Sequence, residues 1–152
     1  MTLPASITLT QAGLTPTLIL EEGAITPPAG GSQSNGGAAL VQQALAAVSV
    51  SGGSAVMTTA AGVAPAQIDT LSDAAAFLGV ASQSGAPGAV INVVTYGFVA
   101  DTSFSWQPDL PVFVGPNGQL SQSAPAVGVL LIAGYAAGPA AMLVRPSLPI
   151  QL

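Results

Sequence analysis

Cysteine and histidine are absent from this 152-residue chain. Their absence excludes a disulfide, a zinc site built from thiolate and imidazole ligands, and a histidine that carries protons near neutral pH. A Ser or Thr nucleophile would have no His, Lys or Cys beside it to activate it. The acidic residues show no spacing that selects a pair for glycoside hydrolysis. We therefore expect no enzyme activity, no catalytic residue, no metal site and no cofactor.

Charge of either sign is scarce, and positive charge is nearly missing. Lys and Arg together number 1, Asp and Glu together number 6, and the net charge is −5. One cation cannot neutralise a phosphate backbone, so we expect no nucleic-acid partner. Charged residues make up 5% of the chain, against about 25% in ordinary soluble domains. We infer that neighbouring subunits cover much of the surface, and we expect a homo-oligomer.

Long helical apolar runs are also missing. The best candidate for a membrane span, 124–144, has no charge and is long enough to cross a membrane, but Pro125 and Pro139 interrupt it together with several glycines. Its β-branched block 127–132 and the Gly138-Pro139 pair indicate two short strands joined by a turn. We therefore expect core strands here rather than a membrane anchor.

The first 30 residues form an extended arm in our interpretation. Segment 6–10 alternates polar and apolar side chains, as half-buried strands do, and segment 17–20 follows the same pattern less cleanly. Residues 31–37 are rich in Gly and Ser and indicate a linker, and 38–152 form the body. Because the arm is too short to bury a core, we expect it to add strands to a partner's sheet edge. The apolar residues expected to dock are Ile7, Leu9, Leu18 and Leu20.

Helical signals in the body are few. Residues 38–47 are rich in Ala and Leu and are the best helix candidate, although a ten-residue helix is marginal alone and a strand remains the alternative. Residues 69–76 can hold one helical turn capped by Ser72.

Strand signals dominate the rest of the body. Short β-rich segments separated by Gly and Pro recur about every ten residues, and the strongest is 89–99, with Gly97 as a bulge candidate. Gly115-Pro116-Asn117-Gly118 separates two short strands and predicts a hairpin. The sequence therefore predicts a mainly β protein: a small β-barrel or β-sandwich body with an extended N-terminal arm and at most one short helix.

The second half of the chain resembles a known family. Leu78-Gly79-Val80 precedes a Val-rich strand ending at Tyr96-Gly97-Phe98-Val99. Trp106-Gln107-Pro108-Asp109-Leu110-Pro111-Val112, Gly115-Pro116-Asn117-Gly118-Gln119-Leu120 and Val127-Gly128-Val129 follow. This pattern resembles small β-domains of tailed-phage virion proteins, found in capsid decoration (cement) proteins and tail-fibre tips. It covers roughly residues 50–148, with Asp109 where the family usually has Gly.

The resemblance implies a non-enzymatic, often trimeric protein on the surface of a virion. We expect a trimeric decoration protein that binds the major capsid protein and stabilises the capsid. The alternative is a short tail fibre or receptor-binding tip held by baseplate or tail proteins, with loops 101–110 and 115–118 facing the host. We expect Trp106, Val112, Phe113 and Tyr135 to pack the body or the trimer.

Loop 101–110 raises a separate question, because Asp101 and Asp109 flank Phe104 and Trp106. Aromatic platforms beside carboxylate acceptors are typical of carbohydrate sites, whereas a lone Trp in a β-domain is more often part of a core or an interface. Glycan binding by this loop is left open at this point.

Overall fold

The computed structural model describes residues 39–152 and the backbone of two strands in the preceding segment. The chain divides into two compact units, Met1–Ser34 and Asn35–Leu152. In the first unit, β1 (Ser6–Thr8) pairs antiparallel with β2 (Thr17–Ile19), and Ile7 is the register partner of Leu18. Leu9 and Leu20 lie outside the described residues.

The second unit is mainly β, as the sequence predicts. Its strands are β3 (Leu40–Leu45), β4 (Ala55–Thr59), β5 (Gly62–Pro65), β6 (Phe77–Ala81), β7 (Val90–Ala100), β8 (Pro111–Val114), β9 (Leu120–Ser121), β10 (Val129–Leu130), β11 (Ile132–Gly138), β12 (Ala141–Val144) and β13 (Ile150–Gln151). A short helix, α1 (Leu71–Ala75), lies between β5 and β6.

Nine of these strands form one antiparallel sheet, in the order β5-β4-β6-β7-β12-β11-β8-β9, with β3 also paired to β7. The sheet does not close into a barrel. The long strand β7 joins its two parts: residues 93–94 pair with β6, and residues 97–100 pair with β12. Strands β10 and β13 form a separate two-stranded ribbon.

The core consists of two clusters on opposite faces of the central strands. Val94 of β7 and Val80 of β6 belong to the larger cluster, whereas their chain neighbours Val93 and Ala81 belong to the smaller one. Because successive side chains of a strand point to opposite faces, β6 and this part of β7 are buried on both sides. Beyond residue 96 only one face of β7 is covered, since Val99 is buried while Phe98 is exposed.

The helix predicted over 38–47 is wrong, because residues 40–45 form β3. Residues 40–45 pair antiparallel with β7, and Leu45 is opposite Val90. A ten-residue segment gains little from helix propensity alone, whereas pairing with the strongest strand of the chain satisfies its backbone groups over six residues. The alternative interpretation of this segment, a strand, is therefore the correct one.

The helical turn predicted within 69–76 is confirmed, but Ser72 is not its cap. Thr70 is the N-cap: its hydroxyl accepts the Asp73 N–H at 3.1 Å, while the Asp73 carboxylate accepts the Thr70 N–H at 3.1 Å. This reciprocal capping box satisfies two backbone donors that a helix start leaves free.

The predicted hairpin between β8 and β9 is also confirmed. Phe113 pairs with Ser121 and Val114 with Leu120, and a 3₁₀ turn, Pro116–Gly118, connects the two strands. Asn117 and Gly118 take φ values of 57° and 72°, a left-handed conformation that these two residue types adopt most easily.

Candidate interaction surface

An apolar, partly aromatic surface covers the outer side of four neighbouring strands. Phe98 of β7 pairs with Leu143 of β12, Leu143 pairs with Tyr135 of β11, and Tyr135 pairs with Pro111 of β8. These partners form a row across the sheet, because residues opposite each other project on the same face. Tyr96, two residues before Phe98, extends the row along β7. We call Tyr96, Phe98, Tyr135 and Leu143 the aromatic face.

The aromatic face is accessible, whereas the opposite face of the same strands is core. Tyr96 is 47% exposed, Tyr135 42% and Phe98 37%. On the inner face, Val99, Met142 and Val112 are at most 4% exposed. The alternation is that of an antiparallel sheet with one buried side, except that its outer side carries aromatic and aliphatic groups where polar ones are usual.

A shallow cleft of about 300 Å³ lies on this face. It is lined by Phe98, Asp109, Tyr135, Ala136, Ala137 and Leu143. Asp109 contributes the only charged side chain among these lining residues. The cleft therefore combines an apolar floor, two aromatic rings and one carboxylate.

Asp109 is held in place by its backbone. Its φ of 66° is in the left-handed region, which Asp tolerates better than most residues. The Asp109 N–H donates to the carbonyl of Ala136 at 2.8 Å, and the Ala136 N–H donates to the carbonyl of Leu110 at 2.9 Å. These two bonds attach the turn to β11. They stabilise the left-handed backbone at this position, which Gly adopts most easily and which Asp109 adopts here.

A second apolar surface is found on β3. All but one of its residues are exposed, including Leu40 at 62%, Val41 at 53% and Leu45 at 47%. These residues pair with β7 along one edge. On the other edge, a bridge between Ala46 and Val63 of β5 follows the end of β3, and within the described residues no strand pairs with residues 40–44 there. Natural edge strands usually carry charges, Pro or bulges that prevent pairing with other chains. β3 has neither a charge nor a Pro, and its one irregularity is a register shift between Leu40 and Val41 in its pairing with β7. We call Leu40, Val41 and Leu45 the β3 edge.

The four residues predicted to pack the body or the trimer occupy three kinds of environment. Val112 is 0% exposed and Phe113 8%, and both lie on β8 inside this chain. Trp106 is half-buried against the larger core cluster. Tyr135 is exposed and belongs to the aromatic face, so it alone of the four is substantially available to a partner.

In loop 101–110, the carboxylates of Asp101 and Asp109 do not lie together beside the rings of Phe104 and Trp106. Asp101 accepts hydrogen bonds from the Ser103 hydroxyl at 2.6 Å and the Ser103 N–H at 2.8 Å, and these bonds lower the pKa of Asp101. Phe104 and Trp106 pack against the core with ring centroids 5.2 Å apart. The buried Trp106 Nε1 has no hydrogen-bond partner. Asp109 instead lines the cleft beside Phe98 and Tyr135.

Sequence reasoning missed Tyr96 and Phe98 as surface residues. The available signal was the sequence Tyr96-Gly97-Phe98-Val99, which alternates large and small side chains at the end of the strongest strand. It also missed Leu40, Val41 and Leu45, because these residues were assigned to a helix.

Comparison with protein-family models, curated proteins and solved structures finds no match to this chain. Within the described residues, no helix combines the length and apolar character needed to cross a membrane. The same residues contain no group of three or more His, Cys, Asp or Glu side chains that could hold a metal ion.

Proposed function

We propose that this chain is a non-enzymatic structural protein of a bacteriophage particle, which decorates the capsid surface as a homotrimer. The resemblance of residues 50–148 to small β-domains of virion proteins supports this function. The mainly β body, with its hairpin between β8 and β9, is compatible with it.

The observation that carries the proposal is the apolar outer surface of a chain with almost no charge. Seven residues of 152 are charged, and the aromatic face and the β3 edge both present large apolar side chains to solvent. Burial of such surface is favourable by ~25 cal/mol per Å². A protein with two surfaces of this kind is suited to sit among neighbours in an assembly rather than alone in solution.

The proposed mechanism is mechanical. The bodies of three chains pack around a threefold axis, while the arm of each chain reaches over adjacent copies of the major capsid protein and adds strands to their sheet edges. Strands β1 and β2 support this role for the arm, because a two-stranded hairpin is marginally stable alone and gains from pairing with a third strand. The added strands connect neighbouring capsid subunits and resist internal pressure.

The test is binding to isolated particle components. Purified protein is mixed separately with undecorated capsids, with tails and with host cells, and bound protein is measured by quantitative gel densitometry and electron microscopy. We expect saturable binding to capsids at a fixed copy number, with density at the threefold positions. Binding to tails or cells without binding to capsids would contradict decoration and favour the tail-fibre alternative.

A further inference from the structure

The single cation of the chain stands at one end of the aromatic face. Lys and Arg together number 1, and that residue, Arg145, is exposed directly after β12. Its N–H donates to the carbonyl of Ala133 at 2.9 Å, which continues the pairing of β12 with β11. Because Arg145 is two residues from Leu143, it follows the same face of the sheet. Val144, the residue before Arg145, pairs with Gly97, the residue after Tyr96.

A carboxylate stands at the other end of the same face. Asp109 is bonded through its backbone to Ala136 and lines the cleft beside Phe98 and Tyr135. Ala136 pairs with Met142, which comes one residue before Leu143. Arg145 comes two residues after Leu143. The pair formed by Tyr135 and Leu143 therefore lies between the two charges. One surface thus carries a cation, an apolar centre and an anion.

We propose that the aromatic face is the contact between copies of this chain, with Arg145 of one copy paired to Asp109 of the next. This inference rests on the homo-oligomer of the proposed function and assigns it a surface. In a ring of three, each copy offers Arg145 to one neighbour and Asp109 to the other, as a closed head-to-tail interface requires.

The charge pattern favours a second copy over an unrelated partner. Each copy has a net charge of −5, so two copies repel each other overall, and a cation that meets a carboxylate where they touch offsets part of that repulsion. Arg145 is the only side chain able to supply that cation, and it already lies on the same face as Asp109. A partner of unrelated sequence would have to match both charges and the apolar centre between them.

The two parts of the face have different roles in such a contact. The aromatic and aliphatic side chains lose water on association and supply affinity. The ion pair sets the register of one copy against the other, because charge pairs across an interface contribute more to specificity than to affinity. Removing one partner leaves the other charge unpaired inside the contact, which accelerates dissociation.

A charge-swap experiment on the full-length chain tests this contact. The dissociation constant of the oligomer is measured by sedimentation velocity over a dilution series for the wild type, for Asp109→Arg, for Arg145→Asp and for the double variant with both changes. Asp109→Asn removes the charge with a residue that also accepts the left-handed backbone. Asp69→Arg is the matched control, since Asp69 is exposed near α1 and lines no part of the aromatic face. Circular dichroism establishes that each variant is folded.

We expect each single reversal to raise the dissociation constant at least tenfold. Asp109→Asn should raise it by less, Asp69→Arg should leave it unchanged within about threefold, and the double variant should return to within about threefold of the wild type. The inference is overturned if the single reversals have no effect, or if the double variant is as weak as the singles.

Two further outcomes separate this inference from the proposed function. An oligomer that survives both reversals while capsid binding is lost would place the capsid protein, not a second copy, on the aromatic face. A wild-type chain that stays monomeric at all concentrations would overturn both the contact and the homotrimer.

Discussion

At the scale of single residues, close backbone packing explains why particular glycines are needed. Gly134 and Gly138 both belong to β11. A β-carbon at Gly134 would overlap the carbonyl oxygen of Leu143 on β12, whereas a β-carbon at Gly138 would meet nothing within 4 Å. The pairing of β11 with β12 at Gly134 therefore requires a residue without a side chain, whereas Gly138 can be replaced by a residue with a side chain.

Gly134→Ala should lower the free energy of unfolding by about 1–3 kcal/mol, because β11 and β12 must move apart to admit the methyl group. Gly138→Ala, the matched control on the same strand, should change it by less than about 1 kcal/mol and can increase it by restricting the unfolded chain. Urea denaturation followed by circular dichroism measures both values. Equal losses in the two variants would contradict the packing at Gly134.

Asp101 makes a pH-dependent contribution to stability, because the Ser103 hydroxyl and backbone N–H hold its pKa below the ordinary value of 3.8. A lowered pKa in the folded state stabilises the protein above the unfolded pKa. That stability is lost as the pH falls from the unfolded value through the folded one.

Ser103→Ala should raise the pKa of Asp101 toward 3.8, since it removes the hydroxyl bond, the largest cause of the shift, and leaves the N–H bond in place. Ser105→Ala, an exposed neighbour in the same loop, should leave the pKa of Asp101 where it is. Carboxyl ¹³C chemical shifts followed from pH 2 to 6 report the titration directly. An unchanged pKa in Ser103→Ala would show that the hydroxyl does not hold this carboxylate.

At the scale of elements, the environment of a strand changes along its length. The first half of β7 has β3 on one side and β6 on the other, and its second half pairs with β12. Ile91 is 0% exposed within the smaller core cluster, and its neighbour Val90 is 57% exposed. The sequence predicted the strand itself, but not which of these apolar residues would be covered.

Ile91→Ala should lower the free energy of unfolding by about 2–5 kcal/mol, since it leaves a cavity in a packed cluster. Val90→Ala should cost less than about 1 kcal/mol, because Val90 mainly faces solvent. Guanidinium or urea unfolding of the two variants measures the difference between their free energies of unfolding. Unchanged m-values show that the unfolding transition itself is unaltered. If Val90→Ala lowered the free energy of unfolding as much as Ile91→Ala, the side chain of Val90 would have to be buried in solution.

The turn between β8 and β9 was predictable because its cause is local. Asn117 and Gly118 have left-handed φ values, which Asn and Gly adopt more easily than other residue types. The cap of α1 was predicted at Ser72, whereas Thr70 is the residue that forms the reciprocal bonds with Asp73. The helix predicted over 38–47 failed for a non-local reason: its pairing partner is β7, which begins 45 residues after the end of β3 by number.

At the scale of the whole molecule, the two compact units have separate roles in the proposed function. Both buried clusters consist of residues between Ala46 and Val144, so the second unit contains its own core. The division at Ser34 and Asn35 lies inside the segment 31–37 that the sequence predicted as a linker.

Deleting residues 1–34 should leave a folded body with near-wild-type thermal stability, because both core clusters remain. The same deletion should abolish binding to undecorated capsids, which the proposed function assigns to the arm. Differential scanning calorimetry and capsid co-sedimentation measure the two effects on one preparation. A deleted chain that fails to fold would contradict the division into arm and body, and one that still binds capsids would contradict the role of the arm.

The sequence by itself determined the mainly β character of the body, the position of its strongest strand and the hairpin at Asn117-Gly118. These features depend on short-range preferences, namely alternation, β-branching and the backbone freedom of Asn and Gly. Scarce charge also indicated covered surfaces. Only the tertiary structure decided that residues 40–45 form a strand paired with β7, that Val112 is core while Tyr135 is surface, and that Asp109 lies beside Phe98. Each of these depends on pairing between distant segments, and the pairing register decides which face of a strand is buried.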